Sequence, residues 1–299
     1  MGIFRSLLRY FRRSSEKKTG GGRYKPPVRD LLTYGDCRKL REWPDYVALG
    51  LGPKHIPELV RMATDYELNH ADSDTLGIWA PVHAWRALGQ LRAEAAIEPL
   101  IGLLHCIDED DDNWAMEELP RVFGMIGPAA VPPLAAFLAD TSHGKFARIT
   151  AAQCFTQIAQ MHPDARDECV SVLTRQLERF TENDARLNAF LILPLTELKA
   201  VEAAPTIEKA FAADQVDLIV MGDWEDVQVE LGLKEAREGT PPKTRSGGEV
   251  PSGPMHTRGG KREDNRQQRQ AEKHTRAKTK RKRKQAKQSR KRNRKRKKK

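Results

Sequence analysis

The chain has only four cysteines, Cys37, Cys106, Cys154 and Cys169, and no Cys-x-x-Cys pair among them. Dispersed thiols of this kind argue against both a zinc knuckle and a disulfide framework. Cys154 and Cys169 are expected to be small core residues. No apolar run approaches the ~18–20 residues of a membrane-spanning helix, and no apolar h-region with a cleavage site marks a secretory signal. From Lys261 onward the sequence lacks aromatic residues and aliphatic ones larger than alanine, and residues 238–260 are rich in Gly, Pro, Ser and Thr. Folding such a segment buries too little surface to offset chain entropy, so composition predicts a disordered arm from about Lys234.

Charge is present in excess but unevenly. Residues 1–25 carry eight Lys/Arg and one Glu, residues 26–256 carry 21 Lys/Arg and 37 Asp/Glu, and residues 257–299 carry 23 Lys/Arg and three acids. The net charge of +11 therefore describes the ends, while the central body is acidic. An acidic body is a poor nucleic-acid groove and suits basic partners.

What the body does have is a repeat. Leu51-Gly-Pro-Lys-His-Ile-Pro-Glu-Leu-Val-Arg-Met-Ala-Thr-Asp65 returns as Ile126-Gly-Pro-Ala-Ala-Val-Pro-Pro-Leu-Ala-Ala-Phe-Leu-Ala-Asp140. Weaker copies lie at 96–104 and 203–211. Each reads as the second helix of a pair, with proline tolerated in the first turn, where its missing N–H costs nothing. The first helices are expected at 81–91, 114–126, 149–160 and 185–198. Their apolar residues fall at helical spacing, as in Leu119, Val122, Phe123 and Ile126. One pair cannot bury its stripe alone, so neighbours must stack. The expectation is an all-α, right-handed α-solenoid of about five pairs over residues 30–215.

The Gly-Pro-x-x-Ile/Val-Pro-x-Leu pattern and first helices such as His83-Ala-Trp-Arg-Ala-Leu-Gly89 resemble HEAT repeats of the phycobilisome-lyase-like type. Trp43-Pro-Asp-Tyr46, Trp79-Ala-Pro-Val-His-Ala-Trp85 and Gly222-Asp-Trp-Glu-Asp-Val-Gln-Val-Glu-Leu-Gly232 also resemble an uncharacterised bacterial family, some members of which end in a cysteine-rich SEC-C zinc motif. The SEC-C cysteines are absent here, and the polybasic tail stands in their place. The resemblance covers roughly residues 30–235 and implies a binding scaffold. HEAT-repeat metal hydroxylases hold iron with His-Glu dipeptides, which this chain lacks. HEAT-like DNA glycosylases need a cationic groove, which an acidic array disfavours, and the lyase likeness is carried by the repeat without a catalytic constellation.

The sequence thus divides into a basic amphipathic segment (1–25), a HEAT-like solenoid (26–235) and a linker with a Lys/Arg-rich tail (236–299). In the tail, Lys278, Lys280, Arg281, Lys282, Arg283, Lys284 and then Arg290, Lys291, Arg292, Arg294, Lys295 and Arg296 can neutralise successive phosphates. Without stacking aromatics, binding to RNA, DNA or a ribosomal surface should tolerate any sequence. The bland reading is a solubilising tail that folds back on the acidic body, and an anionic membrane is a third target. At the N-terminus Phe4, Leu7, Leu8 and Phe11 follow i, i+3, i+4, i+7, with Arg5, Arg9, Arg12 and Arg13 elsewhere. That pattern fits membrane contact; the alternative is a helix that docks on the first repeat or stays frayed. Met1-Gly2-Ile-Phe-Arg-Ser6 also fits a myristoylation pattern, and the run without acids before Glu16 suits a transit peptide.

Two segments contain metal-ligand types, His70-Ala-Asp72-Ser-Asp74 and His105-Cys106-Ile-Asp108-Glu-Asp-Asp-Asp112. They read better as a capping loop and an acidic inter-repeat loop. His83 and Trp85 are expected to pack or hydrogen-bond, and His162 to end a helix. The sequence accordingly predicts a cytoplasmic, non-enzymatic adaptor without catalytic residues, metal, cofactor or small-molecule substrate. Its solenoid would bind protein partners and its tail nucleic acid, with a peripheral membrane scaffold as the alternative.

Overall fold

The structure, a computed structural model, describes residues 23–40, 42–71, 75–110 and 112–238. Every regular element among them is helical. The helices are α1 (Ile56–Ala63), α2 (Tyr66–Asn69), α3 (Ala80–Gln90), α4 (Ile97–Ile101), α5 (Cys106–Glu109), α6 (Asn113–Ile126) and α7 (Val131–Ala139). They continue as α8 (Lys145–Met161), α9 (Arg166–Leu177), α10 (Ala185–Glu197), α11 (Ala204–Ala212), α12 (Leu218–Met221) and α13 (Trp224–Leu231). The expected first helices are α3, α6, α8 and α10, and the second helices are α1, α4, α7, α9 and α11. Successive first helices pack on one another, α3 on α6, α6 on α8 and α8 on α10, with α1 against α3. This is an all-α solenoid whose contacts run between neighbours in sequence. Before α1, residues 46–50 form turns where the other pairs have a full first helix.

One turn recurs before every second helix. The backbone N–H of Ala96, Ala130, Ala165 and Ala203 donates to the carbonyl of Ala93, Gly127, His162 and Ala200 at 2.9–3.0 Å, and His55 donates likewise to Gly52 at 2.8 Å. The four alanines are buried, because a larger side chain there would separate the two helices of the pair. The routes into this turn differ. After α3 and α10, Arg92 and Lys199 take the left-handed conformation (φ 49° and 52°) and the helix end is closed by Ala93 N–H to Leu88 and Ala200 N–H to Leu195. After α6 the left-handed residue is Gly127 (φ 103°). The sequence-equivalent Gly52 is extended (φ −156°). The two Gly-Pro pairs therefore share letters without sharing a backbone requirement.

Small residues set the spacing of the first helices. A Cβ on Gly124 would stand 2.8 Å from the Cβ of Gln157 and 3.0 Å from its carbonyl oxygen, so α6 and α8 touch through this glycine. Between them the helices bury Trp85, Leu88, Leu119, Phe123, Phe155 and Ile158, each worth about 1.5–3 kcal/mol in apolar burial. Trp85 also satisfies its indole N–H on the carbonyl of Ala63 at 3.0 Å. Cys154 and Cys169 are in this core as expected.

The loops between pairs are held by acids used as caps. Asp65, Asp112, Asp184, Asp217 and Asp223 each accept backbone N–H groups at the start of a helix. α8 begins at Lys145, four residues before the expected Ile149, because its cap comes from elsewhere. The Asp108 carboxylate accepts the N–H groups of Phe146 at 3.1 Å and Ala147 at 2.8 Å. A Cβ on Gly144 would collide with that carboxylate.

Candidate functional site

Residues 35–40 and 42–51 form a strap across α3 and α6. The residues that receive it lie at helical spacing, so each set shares a face: His83, Arg86 and Gln90 on α3, and Trp114, Glu118 and Arg121 on α6. Gly35 takes a left-handed φ of 73°, which turns its carbonyl onto His83 Nε2 at 2.9 Å. Because a carbonyl only accepts, Nε2 carries the proton, and Nδ1 accepts the Tyr46 hydroxyl at 2.6 Å. Burial pushes the His83 pKa below its ordinary value and raises that of the Tyr46 phenol, so both groups are held neutral.

Gln90 fixes the middle of the strap through its main chain. Its Nε2 donates to the Pro44 carbonyl at 2.8 Å, and its Oε1 accepts the Tyr46 N–H at 2.8 Å. This pair of bonds addresses the backbone of residues 44–46 whatever their side chains. The side chains are held by cation–π contacts. Arg86 and Arg121 lie over the Trp43 ring at 4.9 and 4.2 Å. Arg38 lies over Trp79 and Trp114 at 4.6 and 5.4 Å, while those two indoles meet edge to face. Arg38 is aimed by a two-bond contact to Asp36, Nε to Oδ1 at 2.8 Å and Nη2 to Oδ2 at 2.6 Å.

Beneath the strap, Arg86 pairs with Glu118. Burial works against the guanidinium charge, but the bonds to Glu118 more than offset it and hold the Arg86 pKa above its usual value. Cys37 is enclosed beside them, and burial pushes its thiol up to about 11, which keeps it protonated and unreactive.

The strap covers only part of the first-helix face. Beyond Trp43 and Val47 lies an open groove of about 660 Å³. Its floor is Gly89, Gln90 and Arg92 of α3 with Met125 of α6, and its far wall is Met161 and His162 at the end of α8. His162 Nε2 bonds the Gly124 carbonyl at 3.0 Å, which fixes this wall against α6. The side chains offer apolar contact and no nucleophile–base pair.

Most of the residues singled out from sequence lie outside the described residues. Phe4, Leu7, Leu8 and Phe11 do so at one end, and Lys278–Lys284 and Arg290–Arg296 at the other. The His105–Asp112 loop is used structurally, with Asp108 capping α8 and Asp112 capping α6. Burial raises the Asp112 pKa, and burial together with the nearby acids pushes the Cys106 thiol up to about 12. Among the described residues no group of three or more His, Cys, Asp or Glu is placed to hold a metal ion. No single described helix is long and apolar enough to cross a membrane. Sequence reading did not pick out Gln90, Arg86 or Glu118. The available signal was a charged pair at first-helix positions where the apolar pattern leaves room only for satisfied groups, beside the Trp43–Tyr46 motif.

A family profile covers residues 54–241, taking in α1 through α13. The chain belongs to the DUF1186 family. That family is described as a protein of unknown function. The DUF1186 match begins after the strap, so the receiving helices fall inside the matched residues and Trp43 and Tyr46 outside them. No curated protein and no solved structure matches the chain.

Proposed function

We propose that this DUF1186 protein is a non-enzymatic, cytoplasmic scaffold: a HEAT-like α-solenoid that binds protein partners, joined to a polybasic tail that binds RNA or DNA without sequence specificity. The observation that carries the reading is the charge partition, an acidic body of 21 Lys/Arg against 37 Asp/Glu beside a tail of 23 Lys/Arg against three acids. The HEAT-like part is supported by the turn repeated at Ala96, Ala130, Ala165 and Ala203 and by first helices stacked in order. The partner-binding part is supported by the open groove and by the Gln90 contacts, which hold a main-chain segment against the same face.

The reading is tested by fluorescence anisotropy with generic RNA and duplex DNA over a salt series. Full-length protein should bind with a steep salt dependence, and a chain ending at residue 256 should not. The shorter chain keeps the whole core of the described residues, which lies between Tyr24 and Leu231. Undiminished binding by residues 1–256 would refute the tail's role.

A second reading, a peripheral membrane scaffold, is favoured by the apolar spacing of Phe4, Leu7, Leu8 and Phe11 among arginines. Co-sedimentation with anionic liposomes, lost on changing Leu7→Glu and Leu8→Glu, would support it.

A further inference from the structure

The open groove has apolar side chains that nothing among the described residues covers. Val47 is 50% exposed on one wall and Met161 41% exposed on the other. Met125 and Met161 give it a thioether lining, and an unbranched, polarizable side chain can mould around leucine or phenylalanine. Grooves of this kind take the apolar stripe of an amphipathic helix, read at i, i+3, i+4, i+7.

The chain itself supplies one such stripe. Beyond Glu238 the only large apolar side chains are the isolated Val250 and Met255, whereas Phe4, Leu7, Leu8 and Phe11 fall at that spacing before Arg23. Arg23 is fixed at the end of α1, paired with Asp65 at 3.1 Å and Glu67 at 2.9 Å. Residues 12–22, which include Gly20, Gly21 and Gly22, span up to about 36–40 Å when extended. The groove floor begins on α3, which packs directly on α1 and is about 16 Å long, so a tether of this length anchored at the end of α1 reaches it. Charge favours the approach at the level of the whole body: the segment carries Arg5, Arg9, Arg12, Arg13, Lys17 and Lys18 against Glu16, the body is acidic, and the groove lining itself balances Asp45 against Arg92.

We propose that residues 4–11 of this chain dock in cis in the groove between the strap and α8, seating Phe4, Leu7, Leu8 and Phe11 against Val47, Met125 and Met161. The docked segment occupies the surface beside the strap and competes there with any outside partner. It also withdraws the apolar stripe from lipid.

The test is photo-cross-linking of the full-length protein carrying p-benzoylphenylalanine in place of Leu7, without lipid, read by mass spectrometry. The expected result is an intramolecular cross-link, at monomer mass, to peptides containing Met125 or Met161. Its yield should fall about tenfold with Met161→Glu, which sets a carboxylate against the apolar stripe. Leu8→Glu in the segment should give the same loss, and because it changes no residue of the core described between Tyr24 and Leu231, this variant answers the question even if the groove variant misfolds. Cross-links to another part of the body, cross-links at dimer mass, or none at all would overturn the proposal. Nucleic-acid binding measured on the same samples is expected to be unchanged, so failure here is distinguishable from failure of the tail's proposed role.

Discussion

The guanidinium of Arg86 meets the carboxylate of Glu118 through two bonds, Nε to Oε2 at 2.9 Å and Nη2 to Oε1 at 2.5 Å, with both side chains largely removed from water. This pair joins α3 to α6 under the strap, and Trp43 lies against the guanidinium as its lid. A buried pair is costly to form and more costly to break, because removing one partner leaves a desolvated charge.

Glu118→Ala is therefore expected to destabilise the protein by about 3–5 kcal/mol, whereas Arg86→Met with Glu118→Leu should cost far less than the sum of the single changes. Urea unfolding of the three variants checks this. A loss in the double variant equal to the sum of the single losses would mean that the pair is not coupled.

Gln90→Leu should free the strap while leaving the solenoid folded, because Gln90 bonds only the main chain of Pro44 and Tyr46. Two hydrogen bonds of this kind are worth about 1–3 kcal/mol together. Hydrogen exchange should rise at Tyr46 N–H and its neighbours, with α8 and α9 unchanged. A uniform rise across all helices would show that the strap is part of the global unit.

Stability should fall as the medium is acidified through the histidine range. His83 has a folded pKa below the ordinary value of 6.5, so the unfolded chain binds the extra proton first. Stabilisation is complete above the unfolded pKa and is lost as pH drops toward the folded one, with a slope of up to about 1.4 kcal/mol per pH unit. His143, whose pKa burial also lowers, adds in the same direction. His83→Phe should flatten the dependence between pH 7.5 and 5.5, and an unchanged slope in thermal unfolding would assign it elsewhere.

The two Gly-Pro glycines should respond differently to alanine. Gly127→Ala forces φ 103° on a residue with a Cβ that would stand 3.0 Å from His162 Nε2, a cost of about 1–3 kcal/mol. Gly52→Ala meets nothing within 4 Å in an extended backbone and is expected to be neutral or stabilising by up to about 1 kcal/mol. Melting temperatures of the two variants decide the matter.

Much of the fold was legible in the chain. Apolar spacing placed α3, α6 and α10 to within a residue or so, and the Ile/Val-Pro-x-Leu copies marked the second helices α1, α4, α7 and α11. Where the sequence reading stopped short, the cause was a partner distant in the chain. α8 starts early because Asp108, 37 residues upstream of Lys145, caps it, and Trp43-Pro-Asp-Tyr46 is only a motif in the sequence until Gln90, Arg86 and Arg121 are set against it.

By itself the sequence determined that this protein is a stack of helical pairs with an acidic body and basic ends. Periodicity and charge are local properties, fixed by which side chains follow one another. Only the tertiary structure decided that α3 and α6 share a buried ion pair, that a strap lies over it, and that a groove remains open beside Met125 and Met161. Those features depend on which faces of separate helices meet, and that is set by close approaches such as Gly124 on Gln157 rather than by any one segment.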